Sequence, residues 1–353
     1  MNTAVDMERA MQFAFKVVGD LAAAMSGGLI YIGDRLGLFK LLAEHAMTAE
    51  EIAQKTGLQK RYLEEWTKAM AASELLDYDS KTKAFSLSPE KALVLALDNS
   101  PFFVQGFTQM LPDHYAKVPE IIRHMKEGGG IPYSSYDHDT FEGTERFFKP
   151  GYLNFLVQQW IPATGYEAAL KEGAKYADVG CGRGWAIITL AKAFPKSQFF
   201  GFDNYAPNME AARELAKREG VSANTTFEVR ASTELPQTGD FTLISNFDSL
   251  HDMVDPEGCA RSVRGALKKE GAWLVLEPNV SDKLEENIHP IGRAFYSVSM
   301  LQCMTASLAH GGKGYGACMG PTKLKEIITQ GGFTRHERLP IDNPFNFITL
   351  SKP

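Results

Sequence analysis

Cysteine is scarce in this chain. Four occur among 353 residues, Cys181, Cys259, Cys303 and Cys318. No two share C-x-x-C spacing, so neither a disulfide framework nor a zinc ribbon is expected. Excess positive charge is also missing. Lys and Arg total 37 against 43 Asp and Glu, a formal net charge of -6, which argues against a broad nucleic-acid surface. No unbroken apolar run reaches the length of a bilayer span, and no membrane association is expected. The opening Met1-Asn-Thr-Ala-Val-Asp-Met-Glu-Arg9 lacks the basic start and apolar core of a signal segment, so a cytoplasmic location is expected. Internal repeats and low-complexity segments are absent. The 44% hydrophobic and 23% charged content is that of a globular chain, long enough for two domains.

Three regions follow from patterning. Residues 1–95 read as a helical module. Helical character runs over Met7–Ala46 with an interruption at Gly27-Gly28. A capping box, Thr48 with Glu51, then opens a short helix that Gly57 closes. A second helix carries Arg61, Tyr62, Trp66 and Met70, and residues 75–88 read as two strands around a polar turn. Helix–turn–helix followed by a hairpin is a winged-helix pattern. Its second helix mixes Lys60, Arg61 and Lys68 with Glu64 and Glu65, which favours packing or dimerisation over DNA reading. Residues 96–165 are rich in aromatics and read as a linker that covers a site. Residues 166–353 alternate strands with helices, the signature of a mostly parallel sheet with crossover helices. Strands are expected at 175–179, 198–202, 225–229, 241–246, 272–276, 334–339 and 345–350. The last two are joined without room for a helix and should pair antiparallel.

The chemistry concentrates after the first of these strands. Asp178-Val-Gly-Cys-Gly-Arg-Gly184 places an acid at a strand end and three glycines in a tight turn. A phosphate cradle would want positive charge there. A carboxylate suits a ligand bearing a cation and hydroxyl donors, such as S-adenosylmethionine. Asp203 ends the next strand, about 20 residues on, where an open α/β sheet places a ribose-binding acid. Trp185 occupies the third glycine position of a dinucleotide fingerprint, and no P-loop lysine follows. A nicotinamide enzyme is therefore disfavoured.

Residues 166–353 resemble the class I S-adenosylmethionine-dependent methyltransferases, through Asp178–Gly184, Asp203 and Asn246-Phe-Asp248. With the winged-helix module included, the chain is similar to bacterial members that pair such a dimerisation domain with a Rossmann-like seven-stranded core. Thr56-Gly57-Leu58 and Phe247-Asp-Ser-Leu-His-Asp-Met253 fit that group. The resemblance implies that Asp178, Gly180, Cys181 and Gly182 line the methionine half of the cofactor and that Asp203 holds the ribose. It puts Asn204, Ser232 and Thr233 beside the adenine, and Asn246 and Phe247 beside the sulfonium. Ser232 stands where the family usually has an acid. The implied product is S-adenosyl-L-homocysteine, and the implied assembly is a homodimer formed through the N-terminal domain.

His251 and Asp252 follow the fourth core strand, at the sheet's ligand-binding mouth. They are the candidate catalytic pair, with Asp248 or Asp252 orienting the imidazole for proton removal from a hydroxyl. The opposing structural reading makes Asp248 the cap of the next helix and His251 a buried hydrogen-bonded residue. Asp248, His251 and Asp252 lack a clear further ligand, so no metal is expected. Beyond Glu277-Pro278, the segment to Pro321 carries His289, Arg293, Phe295, Tyr296, Met300 and Met304, which suit an apolar acceptor pocket. Gly311–Gly316 reads as a hinge or active-site loop. The expected reaction is methyl transfer to a small, partly apolar acceptor, at oxygen first. The alternatives are cyclisation of the cofactor's aminobutyl arm and a cofactor-responsive DNA-binding regulator.

Overall fold

The computed structural model describes residues 5–353. Two compact units emerge: residues up to Asp113 with His138–Pro150, and His114–Asp137 with Gly151–Pro353. The aromatic-rich stretch is thus shared between the two.

The first unit opens with a helix over Met7–Arg35, capped by Asp6. It runs straight through Gly27-Gly28, where the sequence suggests an interruption. Gly27 is there for proximity: a Cβ on it would lie 2.9 Å from Leu111 Cδ1. This helix is long and apolar enough to cross a bilayer by length and composition, although charged residues interrupt its apolar run. Only 6% of the relevant window is buried, and Met11, Phe15, Val18 and Met25 are mostly exposed.

Helices Leu38–Glu44, Ala49–Thr56 and Lys60–Ala72 precede a two-stranded wing, β1 (Asp77–Tyr78) and β2 (Phe85–Ser86), paired antiparallel. The Thr48/Glu51 capping box forms, and Gly57 ends its helix in the left-handed region at φ 73°. Leu38, Phe39, Leu42, Ile52, Trp66 and Met70 make the module's core. Lys60 pairs with Glu50 and Arg61 with Glu65, each at 2.5 Å. The two cations at the start of the Lys60–Ala72 helix therefore each have an acidic partner in the same module.

The second unit is built on seven strands: β3 (Lys175–Val179), β4 (Gln198–Asp203), β5 (Thr225–Val229), β6 (Phe241–Phe247), β7 (Leu267–Pro278), β8 (Arg335–Arg338) and β9 (Asn346–Lys352). Their order is β5-β4-β3-β6-β7-β9-β8. The first five run parallel, β9 is antiparallel to β7, and β8 pairs antiparallel with β9. All seven expected strands are present. Tyr176, Phe199, Leu243 and Leu274 fill one side of the sheet, while Ala177, Val179, Ile244 and Trp273 fill the other, as the two-residue period of a strand requires. The order reverses between β3 and β6. The carboxyl ends of these neighbours open the crevice where such sheets bind ligands.

Two helices of this unit contain π segments, Tyr152–Trp160 and Ser299–Cys303. Such wide turns recur at functional sites. Gly130 lets the 114–137 segment reach the second of these helices. A Cβ there would fall 2.0 Å from the Thr305 carbonyl oxygen, and Ile131 N donates to Thr305 Oγ1 at 2.9 Å.

Candidate functional site

The glycine turn leaves β3 and passes under the end of β4. Gly180 N donates to the Phe202 carbonyl at 2.7 Å. Gly180, Gly182 and Gly184 have φ of 73°, 53° and 85°, values that disfavour any residue with a Cβ. Space separates them further. A Cβ on Gly180 would meet Ser249 at 2.6 Å, and one on Gly184 would meet Phe227 at 2.8 Å. Gly182 faces nothing within 4 Å. Two glycines serve close packing, and the middle one borders open space of the kind a ligand needs.

Asp203 caps this space. Its carboxylate accepts from Gly182 N and Tyr205 N, each at 2.9 Å, and from Asn208. Burial pushes its pKa up to about 6 against these hydrogen bonds. Asp178 is 2% exposed and accepts from Ser245 Oγ at 2.7 Å, which in turn accepts from Tyr176 Oη at 2.6 Å. Tyr176, Asp178 and Ser245 share one sheet face, which assembles this chain of bonds. Burial raises Asp178 to about 7, with Asp203 adding to the effect. An acid that resists ionisation beside another acid fits a ligand that brings positive charge and hydroxyl donors. The cofactor expected from the sequence thus fits the residues present.

The other expected cofactor residues divide. Phe247 is buried, and its ring lies 5.6 Å from Tyr152 and 5.9 Å from Trp160. The Asn246 side chain does not reach toward a ligand. It donates to the Val179 carbonyl at 2.8 Å and accepts from Trp273 Nε1 at 2.8 Å, on the opposite sheet face. Cys181 sits in the turn with its thiol pushed well up by burial. Asn204 and Thr233 are exposed, and Ser232 lies within hydrogen-bonding reach of the Cys259 thiol.

His251 is 3% exposed, in a short 3-10 turn over Leu250–Asp252. Its Nδ1 lies 2.5 Å from Glu277 Oε2 at the end of β7. Its Nε2 lies 3.1 Å from Asp252 Oδ1. Burial opposes the imidazolium, but the carboxylates of Glu277 and Asp252 outweigh it and hold His251 well above its ordinary pKa. The orienting acid is thus Glu277, which adjoins His251 through the pairing of β6 with β7. Asp248 neither orients the imidazole nor caps a helix. Asp255 caps Pro256–Ala266, accepting from Gly258 N at 2.8 Å.

Cys303 belongs to the second π segment and approaches the same imidazole. The ligand atoms of His251, Asp252 and Cys303 all lie within 4.8 Å of one another, a spacing that could hold one ion. A proton held by His251 between two carboxylates accounts for the same arrangement. Burial lifts the Cys303 thiol to about 12, so it stays protonated. Tyr133 approaches Asp203, Asp252 and Cys303 and bonds Asn208. The Gly311–Gly316 loop is anchored here, with Gly316 N donating to the His251 carbonyl at 3.2 Å. Glu277 carries a readable signal, an acid ending a core strand. Tyr133, Asn208 and Cys303 carry none, since helical packing alone brings them in.

Comparison with known proteins supports the fold and chemistry. Residues 170–332 match a family described as a methyltransferase domain, and residues 24–97 match an Rv2258c-like winged helix-turn-helix domain. A mitomycin biosynthesis 6-O-methyltransferase from Streptomyces lavendulae is 23% identical over 273 residues, 74% of this chain and 77% of that one. A solved mitomycin 7-O-methyltransferase superposes with a TM-score of 0.71 at 20% identity, covering 98% of this chain and 100% of the other. Human N-acetylserotonin methyltransferase, solved with S-adenosylmethionine, superposes at 0.65 with 18% identity, over 100% and 99%. The chain thus joins a methyltransferase domain over residues 170–332 to a winged helix-turn-helix domain over residues 24–97, the make-up of an S-adenosylmethionine-dependent methyltransferase.

Proposed function

We propose that the enzyme methylates an oxygen of a small, partly apolar acceptor held between Phe247, His251 and the helix over Pro290–Leu308. The buried His251–Glu277 contact at 2.5 Å carries this reading. When bound, S-adenosylmethionine supplies an activated methyl group and leaves as S-adenosylhomocysteine. Asp203 binds the ribose hydroxyls, and the space beside Gly182 admits the cofactor. Phe247, Tyr152 and Trp160 exclude water. Glu277 fixes the Nδ1 proton of His251, which leaves Nε2 to take the acceptor's proton. Asp252 stabilises the charged imidazole. The relatives named for mitomycin methylation act at oxygen, which supports the choice of atom.

The test is mass spectrometry of purified enzyme with the cofactor and a panel of small phenols and alcohols. A product heavier by one methylene, formed alongside S-adenosylhomocysteine, is expected. His251→Gln should slow it about 10²–10⁴-fold. Methylthioadenosine as the product would replace methylation with aminobutyl chemistry.

We further propose a homodimer through the Met7–Arg35 helix. Met11, Phe15, Val18 and Met25 recur at helical spacing and are 59–77% exposed, a stripe suited to the same helix of a second copy.

A further inference from the structure

The sequence offers no third ligand beside His251 and Asp252, but the fold supplies one. The helix over Pro290–Leu308 contains the π segment Ser299–Cys303. Its last residue, Cys303, comes within hydrogen-bonding reach of the His251 imidazole. One nitrogen, one carboxylate oxygen and one sulfur thus converge, all within 4.8 Å of one another. His251 and Cys303 are buried, while the Asp252 side chain is 33% exposed. The cluster has two inner donors and one that reaches solvent.

Its geometry suits a cation. With metal–ligand bonds of about 2.0–2.3 Å, neighbouring donors of a tetrahedral zinc site stand about 3.3–3.8 Å apart. His251 Nε2 and Asp252 Oδ1 are 3.1 Å apart, already near that edge. Cys303 lies inside the 4.8 Å limit and needs to approach by only about 1 Å. On the far side of the ring, Nδ1 lies 2.5 Å from Glu277 Oε2. A carboxylate on the second nitrogen is the usual support of a metal-bound imidazole, fixing its tautomer and turning Nε2 toward the ion. Thiolate with imidazole selects a zinc-class cation over magnesium or calcium, which prefer oxygen donors. Three protein ligands leave a fourth position for water.

We propose that His251, Asp252 and Cys303 form an inhibitory site for Zn²⁺ or a cation of the same class. The ion takes the place of the proton that His251 otherwise holds between Glu277 and Asp252. Binding displaces one proton from the imidazolium Nε2 and one from the Cys303 thiol. Neutral imidazole, thiolate and carboxylate remain on the metal. Two positive charges then meet two negative ligands, the balance a buried ion requires. With Nε2 occupied, the acceptor's proton finds no base and methyl transfer stops. The inhibition rests on the role proposed above for His251, whereas the metal site does not.

Cys303→Ser is the discriminating variant. Cys303 takes no part in the proposed methyl transfer, and a serine hydroxyl is a poor partner for a soft cation. Cd²⁺ titrated into the full-length chain should give ultraviolet thiolate–metal absorption that Zn²⁺ displaces and that Cys303→Ser lacks. Zn²⁺ should inhibit wild-type methyl transfer, and a chelator should restore it. Cys303→Ser should need about 10–100-fold more Zn²⁺ for the same inhibition, with a metal-free rate within about twofold of wild type. Cys303→Ala should behave as the serine variant does. Unaltered Cd²⁺ absorption in the variants, no binding by the wild type, or equal Zn²⁺ inhibition of all forms overturns the proposal. Binding at Cys303 without inhibition overturns the inhibitory role. The absorption measurement needs no turnover, so it decides the site even where no acceptor is methylated.

Discussion

Glu277 shows how one buried charge sets the working range of another. Its carboxylate, with that of Asp252, holds His251 well above the ordinary value near 6.5. The neutral imidazole that can take a proton is therefore populated only as pH rises through that elevated value. Activity should climb with pH and level off on the alkaline side. Glu277→Gln removes one of the two opposing charges, so the His251 pKa falls and the climb should move to lower pH. The pH profile of kcat/KM checks this. A lower plateau with an unmoved midpoint would mean that Glu277 acts only through packing. The glycines teach the same lesson without charge. Gly180 and Gly184 face neighbours that a methyl group would strike, and Gly182 faces open space. The pattern of three glycines is visible in the sequence, but the division of labour among them is not.

At the scale of elements, the proposed cofactor half of the site is made by strand ends. β3 and β4 deliver Asp178 and Asp203 because each acid is the penultimate or last residue of its strand. That half was therefore open to reading from strand length alone. The proposed acceptor half is drawn from helices. Tyr133 arrives on the segment held by Gly130, and Cys303 on a π segment whose register departs from ordinary helical spacing. Gly130→Ala should separate these parts. Its Cβ would overlap the Thr305 carbonyl, and backbone cannot rotate away as a side chain can, so about 1–3 kcal/mol of destabilisation is expected. Hydrogen exchange should show lost protection concentrated in 114–137 and 299–309. Uniform loss across the sheet would contradict this assignment.

For the molecule as a whole, the exposed face of the Met7–Arg35 helix is an apolar surface left uncovered by its own unit. A second copy would bury it, and light scattering at micromolar concentration should give twice the mass of one 39.0 kDa chain. Met11→Glu with Phe15→Glu places two charges one turn apart on that stripe and should yield a monomer that keeps its cofactor affinity. A wild-type monomer that binds phospholipid vesicles would overturn the dimer in favour of a membrane surface. In the winged helix, Lys60 and Arg61 pair with Glu50 and Glu65 of the same module.

The sequence alone determined what depends on neighbours along the chain. The capping box at Thr48, the seven strands, the glycine turn and the acids at strand ends are short-range patterns, and steric and hydrogen-bonding rules read them directly. It could not assign tasks that depend on sheet face or strand pairing. Asn246 turned to Trp273 and Val179 because it lies on the face opposite Ser245. His251 took Glu277 as its partner because β7 runs beside β6. Asp248, expected as an orienter or a cap, became a strained acid with one oxygen unpaired. Those outcomes belong to the tertiary structure, since they rest on contacts between residues up to about a hundred positions apart, as between Asn346 and Asp248.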